Sequence, residues 1–495
     1  MNLSFFFKLK KYLNFSTPTS IILIIIISIA IQFILYLLGF FSISADESDR
    51  SIQAYNWAIG NPVYDASWLP LHRIILGIGF KVLPDIFWLP RFINYFFGIL
   101  LLPLMAWLSQ SLFHSKKNTI LSTLLVCFFF PRIILSSVPL TESIFITFII
   151  SGIALFVNWL TAKQNLYLIL ASVLFLLGSA IRYEGWIFSA SFGLLVTYLL
   201  ISKNYNIGIK YYFVILVIIS SFPVYWLYYH SIESGGAFSF LYSATDNYTS
   251  SHGGSFKKQF LNSLFPQFTF QNLVSLNFLG LIPFFFLLKK DMKIKLFSII
   301  VLTSFSIMVL ATSIGKALPS HNFWRIPAVW SFILIPFTAY FLLNINEYYK
   351  KPKPQIKYLL LILFIVFNLL MTSYEVNKRS SFTEVQIQTG KYLEKILDRD
   401  KNIKVLIETS SWDYPNILVA SQHPNNFLLN TGVNPKIPGK SILSDSTSLE
   451  QLNNRNIKYF LFKSHGLRKI LNEKNDFDMV KVFGEWFIYK LNLVD

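Results

Sequence analysis

The chain has 495 residues, 54% of them hydrophobic and 14% charged, with a formal net charge of +18. A hydrophobic share this large excludes a water-soluble enzyme, and because the lysines gather between apolar runs the positive charge reads as membrane topology, not as a nucleic-acid footprint. The single cysteine, Cys127, excludes a disulfide framework and a cysteine-based metal site.

Lys8, Lys10 and Lys11 precede the first apolar run, and no small-residue cleavage site follows it, so that run is expected to stay as a helix. Charge-poor runs of roughly 17–25 residues signal membrane spans. They fall near 17–41, 90–112, 118–136, 141–161, 166–181, 185–202, 211–230, 272–288, 295–314, 324–344 and 356–374, which predicts a polytopic α-helical membrane protein with eleven spans. With the amino terminus inside, the short connections at Ser115–Asn118, Thr161–Asn165, Lys203–Lys210, Lys289–Lys295 and Glu347–Lys357 all carry lysine and all face the cytoplasm.

That orientation sends the polar, chemistry-bearing residues to the opposite face. Asp46, Glu47, Asp49 and Arg50 follow the first span; Arg132, Glu142, Arg182, Glu184, His321 and Arg325 lie at the outer ends of later ones. A charge held inside a span costs about 2.5–3.5 kcal/mol, so these residues are expected to meet in one water-accessible cleft. The first outer loop, 42–90, reads as a polar helix over 49–59 broken by Gly60-Asn61-Pro62, then an interfacial piece over 74–83. The second, 231–271, is rich in Gly, Ser and Asn and is a candidate lid. The membrane region is taken as 1–376. From 377 to 495 helical periodicity gives way to short strands near 405–407, 459–462, 480–483 and 486–489, with Gly484-Glu485 as a hairpin turn, which predicts a small α/β domain on the outer side.

Carboxylates beside arginines at a membrane face suit transfer of a sugar from a lipid phosphate. The phosphate leaving group needs cations more than a general acid, and the acceptor hydroxyl needs a carboxylate within reach. Arginine's planar fork matches phosphate oxygens. Three segments strengthen this: Asp46-Glu47 with Arg50 after the first span, Pro139-Leu140-Thr141-Glu142-Ser143 opening a later helix, and Arg182-Tyr183-Glu184-Gly185-Trp186 between two more. In this order the chain resembles the GT-C class of polyprenyl-phosphate-sugar-dependent membrane glycosyltransferases, in particular the bacterial aminoarabinose transferases and the protein O-mannosyltransferases of family 39.

The resemblance implies a GT-C-like fold, a polyprenyl-phosphate-sugar donor, and a glycan, lipid or protein acceptor outside a bacterial inner membrane. It assigns Asp46 as catalytic base with Glu47 beside it, either of which is also a candidate ligand for a divalent cation such as Mg or Mn. Arg182, Arg325 and, less directly, Arg132 become donor-phosphate ligands. Glu142, Tyr183, Glu184, His72 and His321 become substrate contacts. The aminoarabinose branch carries a lysine-proline-proline segment late in the first loop, where this chain has Ser67-Trp68-Leu69-Pro70-Leu71-His72. Plainer readings stand beside these: Asp49 as a helix-start charge, Arg182 and Glu184 as a structural ion pair, His72 and His321 as interfacial hydrogen-bonding groups. A flippase or transporter would show internal repeats and mid-span carboxylates, which the sequence lacks. An O-antigen ligase would carry arginines in its late loop, and 231–271 has none.

Overall fold

The computed structural model describes residues 17–63, 68–202, 207–240, 272–313, 324–349, 355–409, 413–430, 452–473 and 476–492. Each apolar run folds as helix. In chain order these are α1 (Thr17–Leu37), the loop helices α2 (Asp46–Ala58) and α3 (Pro70–Val82), then α4 (Trp88–Phe113), α5 (Lys116–Phe128), α6 (Phe130–Ser137), α7 (Glu142–Ala162), α8 (Asn165–Ser179), α9 (Glu184–Ser202), α10 (Ile209–Glu233), α11 (Asn272–Leu288), α12 (Met292–Ser313), α13 (Ala328–Leu343) and α14 (Gln355–Leu397).

Seven of these, α1, α4, α7, α9, α10, α12 and the first part of α14, are long and apolar enough to cross a bilayer. An eighth crossing is broken, because α5 and α6 meet at a 55° bend. Pro131 enters the first turn of α6, where proline fits, and the chain before it cannot continue as helix. The expected count of eleven is therefore corrected: α8, α13 and the Leu279–Leu288 portion of α11 are apolar but shorter than a full span. In α11 the helix is interrupted at Asn277, whose backbone leaves the helical region.

The bundle is apolar outside and polar along narrow seams. On α1 the side chains of Ile22, Leu23, Ile26, Phe33 and Leu37 are exposed, whereas Ser20, Ile24, Ser28, Gln32 and Leu35 are buried, a stripe of mostly small and polar residues at helical spacing. Helix α7 is the centre: most of its residues are buried, on every face. At the lysine-bearing end Lys293 donates to the Ser111 carbonyl (3.1 Å) and lies 2.9 Å from His114 Nε2, gathering two of the connections that topology assigns to one side.

Helix α14 runs without a break through the boundary expected at 376/377, then feeds the small domain. Its strands β1 (Lys404–Glu408), β2 (Phe427–Asn430), β3 (Ile457–Phe462), β4 (Phe477–Phe483) and β5 (Trp486–Leu491) form one sheet in the order β2-β1-β3-β5-β4. The first three are parallel and the last two pair antiparallel as a hairpin, with Gly484 at φ +54 in its turn. Helix α15 (Tyr414–Ala420) follows β1, and α16 (His465–Asn472) follows β3. The four expected strands are present; β2 and both short helices were not anticipated.

This domain is seated on the first outer loop. Ser48 Oγ meets Asn416 Oδ1 at 2.6 Å, Gln422 accepts from the Ile86 amide (3.0 Å) and donates to Asp85 (2.8 Å), and Ala54, Leu76, Phe80 and Ile86 share an apolar cluster with Ile387, Val419 and Ala420. The approach of α14 to α15 is close enough that a Cβ on Gly390 would lie 2.6 Å from both Ala420 Cβ and the Ile417 carbonyl oxygen. Gly390→Ala is expected to cost about 1–3 kcal/mol by overpacking, read as a lower unfolding midpoint and faster protease release of the small domain from the detergent-solubilised protein.

Candidate active site

Helix α2 begins directly at the acidic cluster, and its first turn is locked by Ser44-x-x-Glu47. Glu47 is fully buried; its carboxylate accepts the Ile43 amide (2.9 Å) and the Ser44 amide (3.0–3.1 Å), and the hydroxyls of Ser42 and Ser44 lie at 3.1 and 2.9 Å. The first-turn carboxylate thus folds back on the chain that leads into the helix and satisfies two of its amides. Burial raises the Glu47 carboxyl above its usual range, while the amide hydrogen bonds oppose that rise. Asp46 differs sharply. Its side chain is 54% exposed, and it makes a loose ionic contact to Arg325 Nη1 at 3.9 Å.

The other charged groups come from three further segments. Asn94 on α4 donates to the carbonyls of Val138 (2.6 Å) and Leu140 (2.5 Å), which sets the turn that presents Glu142 as the first residue of α7. Between α8 and α9 the chain reverses at Ile181–Tyr183. Gly185 permits this reversal, because a Cβ there would meet the Gly178 backbone at 2.4–2.5 Å. The reversal aims Arg182 at Glu142. Arg182 Nη1 donates to Glu142 Oε1 (2.8 Å) and Thr141 Oγ1 (2.9 Å), and its Nε and Nη2 are held by Glu184 at 3.2 and 2.5 Å. Arg325, just ahead of α13, binds the same Glu142 oxygen through Nε (2.8 Å) and Nη2 (2.7 Å). The result is one chain of charge, Asp46–Arg325–Glu142–Arg182–Glu184, with Glu142 1% exposed at its centre.

Beside this chain α2, α3 and the turn before α3 frame a shallow cleft, open to solvent and lined by Arg50, Gln53, Trp68, Leu69, His72 and Arg73. The Arg50 guanidinium lies 4.0 Å over the Trp68 ring, and its buried Nε has no hydrogen-bond partner. Burial lowers Arg50 to about 10, still charged at neutral pH, and Asp46, Glu142, Arg182 and Arg325 all act on it electrostatically. Burial and the neighbouring Arg50 push His72 down to about 3, so its ring is neutral.

The structure therefore brings together Asp46, Glu47, Glu142, Arg182, Glu184 and Arg325, with His72 in the adjoining cleft. Tyr183 turns away from the ion chain: it stacks on Phe240 at 5.0 Å and accepts from Trp226 Nε1 (3.2 Å). Arg132 is not part of the cluster. It is buried within the bent crossing, donating to the Cys127 carbonyl (2.8 Å) and to Ser28, because the kink at α5–α6 leaves a carbonyl that needs a donor. His321 and residues 241–271 of the expected lid lie outside the described residues. Arg50 was noticed in the sequence but given no role; its position one turn after Asp46 on the same helix face was the available signal.

A divalent cation at Asp46 and Glu47 does not fit this arrangement. The Glu47 oxygens are occupied by amides and hydroxyls, Glu142 Oε1 is shared by two guanidiniums, and among the described residues no group of three or more His, Cys, Asp or Glu could hold a metal ion.

With this geometry in hand, comparison with known proteins is informative. Residues 77–232 match the family model of dolichyl-phosphate-mannose-protein mannosyltransferases. The structure of ArnT from Cupriavidus metallidurans bound to undecaprenyl phosphate superposes with a TM-score of 0.61 at 10% identity, over 94% of this chain and 97% of that one. The Archaeoglobus fulgidus oligosaccharyltransferase in its apo form matches with a TM-score of 0.53 at 13% identity, over 91% of this chain and 70% of its own. The same archaeal enzyme has been seen in complex with zinc and sulfate, and that structure matches equally at 0.53, with 13% identity, over 89% and 67%. No curated protein sequence matches. This is the GT-C glycosyltransferase fold. The chain is a multi-pass membrane protein that shares this fold, and the elements carrying Glu142 and Arg182 lie within the stretch that matches the mannosyltransferase family model.

Two measurements probe the GT-C site's electrostatics. Replacing a buried carboxylate that pairs two guanidiniums leaves charge uncompensated, so Glu142→Gln is expected to cost about 3–5 kcal/mol, seen as a fall in unfolding midpoint that the double substitution with Arg182→Gln partly reverses. Asp49 supplies a pH test. Its carboxyl is pushed up from 3.8 to about 6, chiefly by burial and further by Asp46, against the pull of Arg50. The folded state thus holds that proton more tightly than the unfolded chain, so its stabilising contribution is complete below pH 4 and lost as pH rises through 6. Asp49→Asn is expected to unfold later than wild type above pH 6, the gap closing toward pH 4 in thermal scans.

Proposed function

We propose that this protein transfers a sugar from a polyprenyl-phosphate-linked donor to a hydroxyl acceptor on the extracytoplasmic face of a bacterial inner membrane, with Asp46 as general base. The contrast between Asp46 and its neighbours supports this reading. Glu47, Glu142 and Glu184 have their oxygens engaged by amides or guanidiniums, whereas Asp46 is half exposed at the first turn of α2 with a loose contact to Arg325. A base needs a lone pair free for the acceptor's proton.

The donor phosphate would lie against guanidiniums whose N–H groups are still available. Arg182 is spoken for through all three nitrogens by Glu142, Thr141 and Glu184, so its role is to hold Glu142 and, through it, Arg325. Arg325 Nη1, loosely facing Asp46, and Arg50, with its unpartnered Nε, are the better phosphate ligands. The two would neutralise charge as the phosphate departs, while Asp46 takes the acceptor's proton. The acceptor hydroxyl gains a bond to the sugar's anomeric carbon as the carbon–oxygen bond to phosphate breaks.

The test compares cell-envelope glycans by mass spectrometry in cells lacking the gene and in the same cells carrying wild type or Asp46→Asn. Loss of one sugar modification with the deletion, rescue by wild type and no rescue by correctly inserted Asp46→Asn is the expected outcome. With purified protein the same substitution is expected to lower kcat by roughly 10²–10⁴ with little change in donor KM. An envelope unchanged by the deletion would refute the function; near-normal turnover by Asp46→Asn would refute its base.

A further inference from the structure

Ala45, the residue before α2, gives that helix no side-chain cap, so the point at which the helix starts, and with it Asp46, is set from outside. The groups that set it converge on the preceding residues, 41–44. Ser42 and Ile43 are buried, and irregular backbone out of water needs partners for its polar groups. Glu47 takes the Ile43 and Ser44 amides, and Ser42 Oγ donates to the Ser44 carbonyl (2.6 Å). The Phe41 and Ile43 carbonyls are met by guanidiniums from two other helices. Arg91 of α4 donates to Phe41 through Nε (3.2 Å) and Nη2 (2.9 Å), and Arg379 of α14 donates to Ile43.

Arg91 is the more telling of the two. It is 2% exposed, and its remaining nitrogen, Nη1, donates to the Phe87 carbonyl, so both of its acceptors are backbone oxygens and not carboxylates. The guanidinium also lies 3.9 Å over the Phe87 ring. A charged donor binds a carbonyl roughly twice as strongly as a neutral one, so Phe41 is held harder than an amide side chain would hold it. One turn along the same face of α4, Asn94 holds the carbonyls of Val138 (2.6 Å) and Leu140 (2.5 Å), the turn that presents Glu142. A single helix end thus fixes both sides of the site. Arg91 places the start of α2, and Asn94 places the carboxylate that binds Arg325. The 3.9 Å between Arg325 Nη1 and Asp46 is the separation that results.

We infer that Arg91 is a positioning residue for the general base. Through the Phe41 carbonyl it fixes where α2 begins relative to the Glu142 frame, and Arg379 braces the same segment from α14. Both act through the backbone of 41–44, not on substrate. A base displaced by about 1 Å takes up a proton many-fold more slowly, while the donor binds as before. This rests on the reading of Asp46 as the base, and it adds what holds that base in place.

The experiment compares Arg91→Lys and Arg379→Lys with wild type as full-length protein in nanodiscs. Each variant keeps the charge and loses the planar fork, and a lysine cannot bridge the Phe41 and Phe87 carbonyls. Amide hydrogen exchange is expected to quicken in peptides covering 41–50 and to stay unchanged through the rest of the bundle. Unchanged exchange over 41–50 in a folded variant would overturn the clamp. Turnover is then measured with radiolabelled undecaprenyl-phosphate-linked mannose, glucose or aminoarabinose, and membranes of cells lacking the gene as acceptor. Arg91→Lys is expected to lower kcat about ten-fold with donor KM within about two-fold of wild type. Added to Asp46→Asn, which has no base left to aim, it is expected to lower the residual rate by less than about two-fold. An equal loss in both backgrounds, or a loss carried by KM, would overturn positioning. Arg379→Lys leaves α4 untouched; it is expected to repeat the pattern and decides the case if Arg91→Lys does not fold. A wild type that transfers none of these sugars would instead overturn the proposed function, and the exchange result would still decide the clamp.

Discussion

The outer end of this bundle is organised by one buried carboxylate. Glu142 is almost wholly out of water, and desolvating such a group costs several kcal/mol unless cations and hydrogen bonds replace its hydration. Arg182 and Arg325 supply that replacement, each from a different segment, and Arg182 in turn needs Glu184. No member can move without exposing an unpaired charge to a low-dielectric surround. The hairpin between α8 and α9, the turn opening α7 and the approach to α13 are thereby held to one geometry. Asp46 is attached to this frame at its edge, through the longest contact in the chain of charge.

That difference in tightness separates scaffold from chemistry. Carboxylates already paired with guanidiniums or amides have less to offer a substrate, and a guanidinium spent on two glutamates has little left for a phosphate. By this criterion Glu47, Glu142, Glu184 and Arg182 build the site, while Asp46, Arg325 and Arg50 face what enters it. Arg50 is unusual because it is largely buried yet answered by an aromatic face in place of a carboxylate. Such a cation retains its N–H groups for an anion, as a stacked arginine commonly does where planar recognition matters.

Much of this was readable in the sequence. The positions of the apolar runs and the convergence of residues 46, 142, 182 and 325 at one end of the bundle follow from hydropathy and charge alone. Crossing number did not, because Pro131 and Asn277 interrupt helices inside runs whose composition stays apolar. Arg132 misled for a related reason. A charge in an apolar run suggests function, yet here it caps the carbonyl that the kink at Phe129 exposes. Glu47 counts as a second catalytic carboxylate by adjacency, and the structure adds that its carboxylate holds the Ile43 and Ser44 amides. Which arginines remain free, and that His72 carries an unanswered nitrogen, depend on side-chain pairings across segments far apart in sequence, and no local pattern encodes them.

The small domain gains a role from where it sits. Helix α2 is two-faced: Asp46, Arg50 and Gln53 look into the site, while Ser48 and Ile52 on the opposite face contact Asn416 and the core of the small domain. A helix of 13 residues held by its back transmits any displacement of that back to its front. Helix α14 meanwhile joins the membrane bundle to the domain as one uninterrupted rod of 43 residues, with Arg379 bonded to the Ile43 carbonyl just before α2 begins. Asp46, Arg50 and the α/β domain are thus joined through α2, which is tied to the bundle through Glu142 on one side and along α14 on the other.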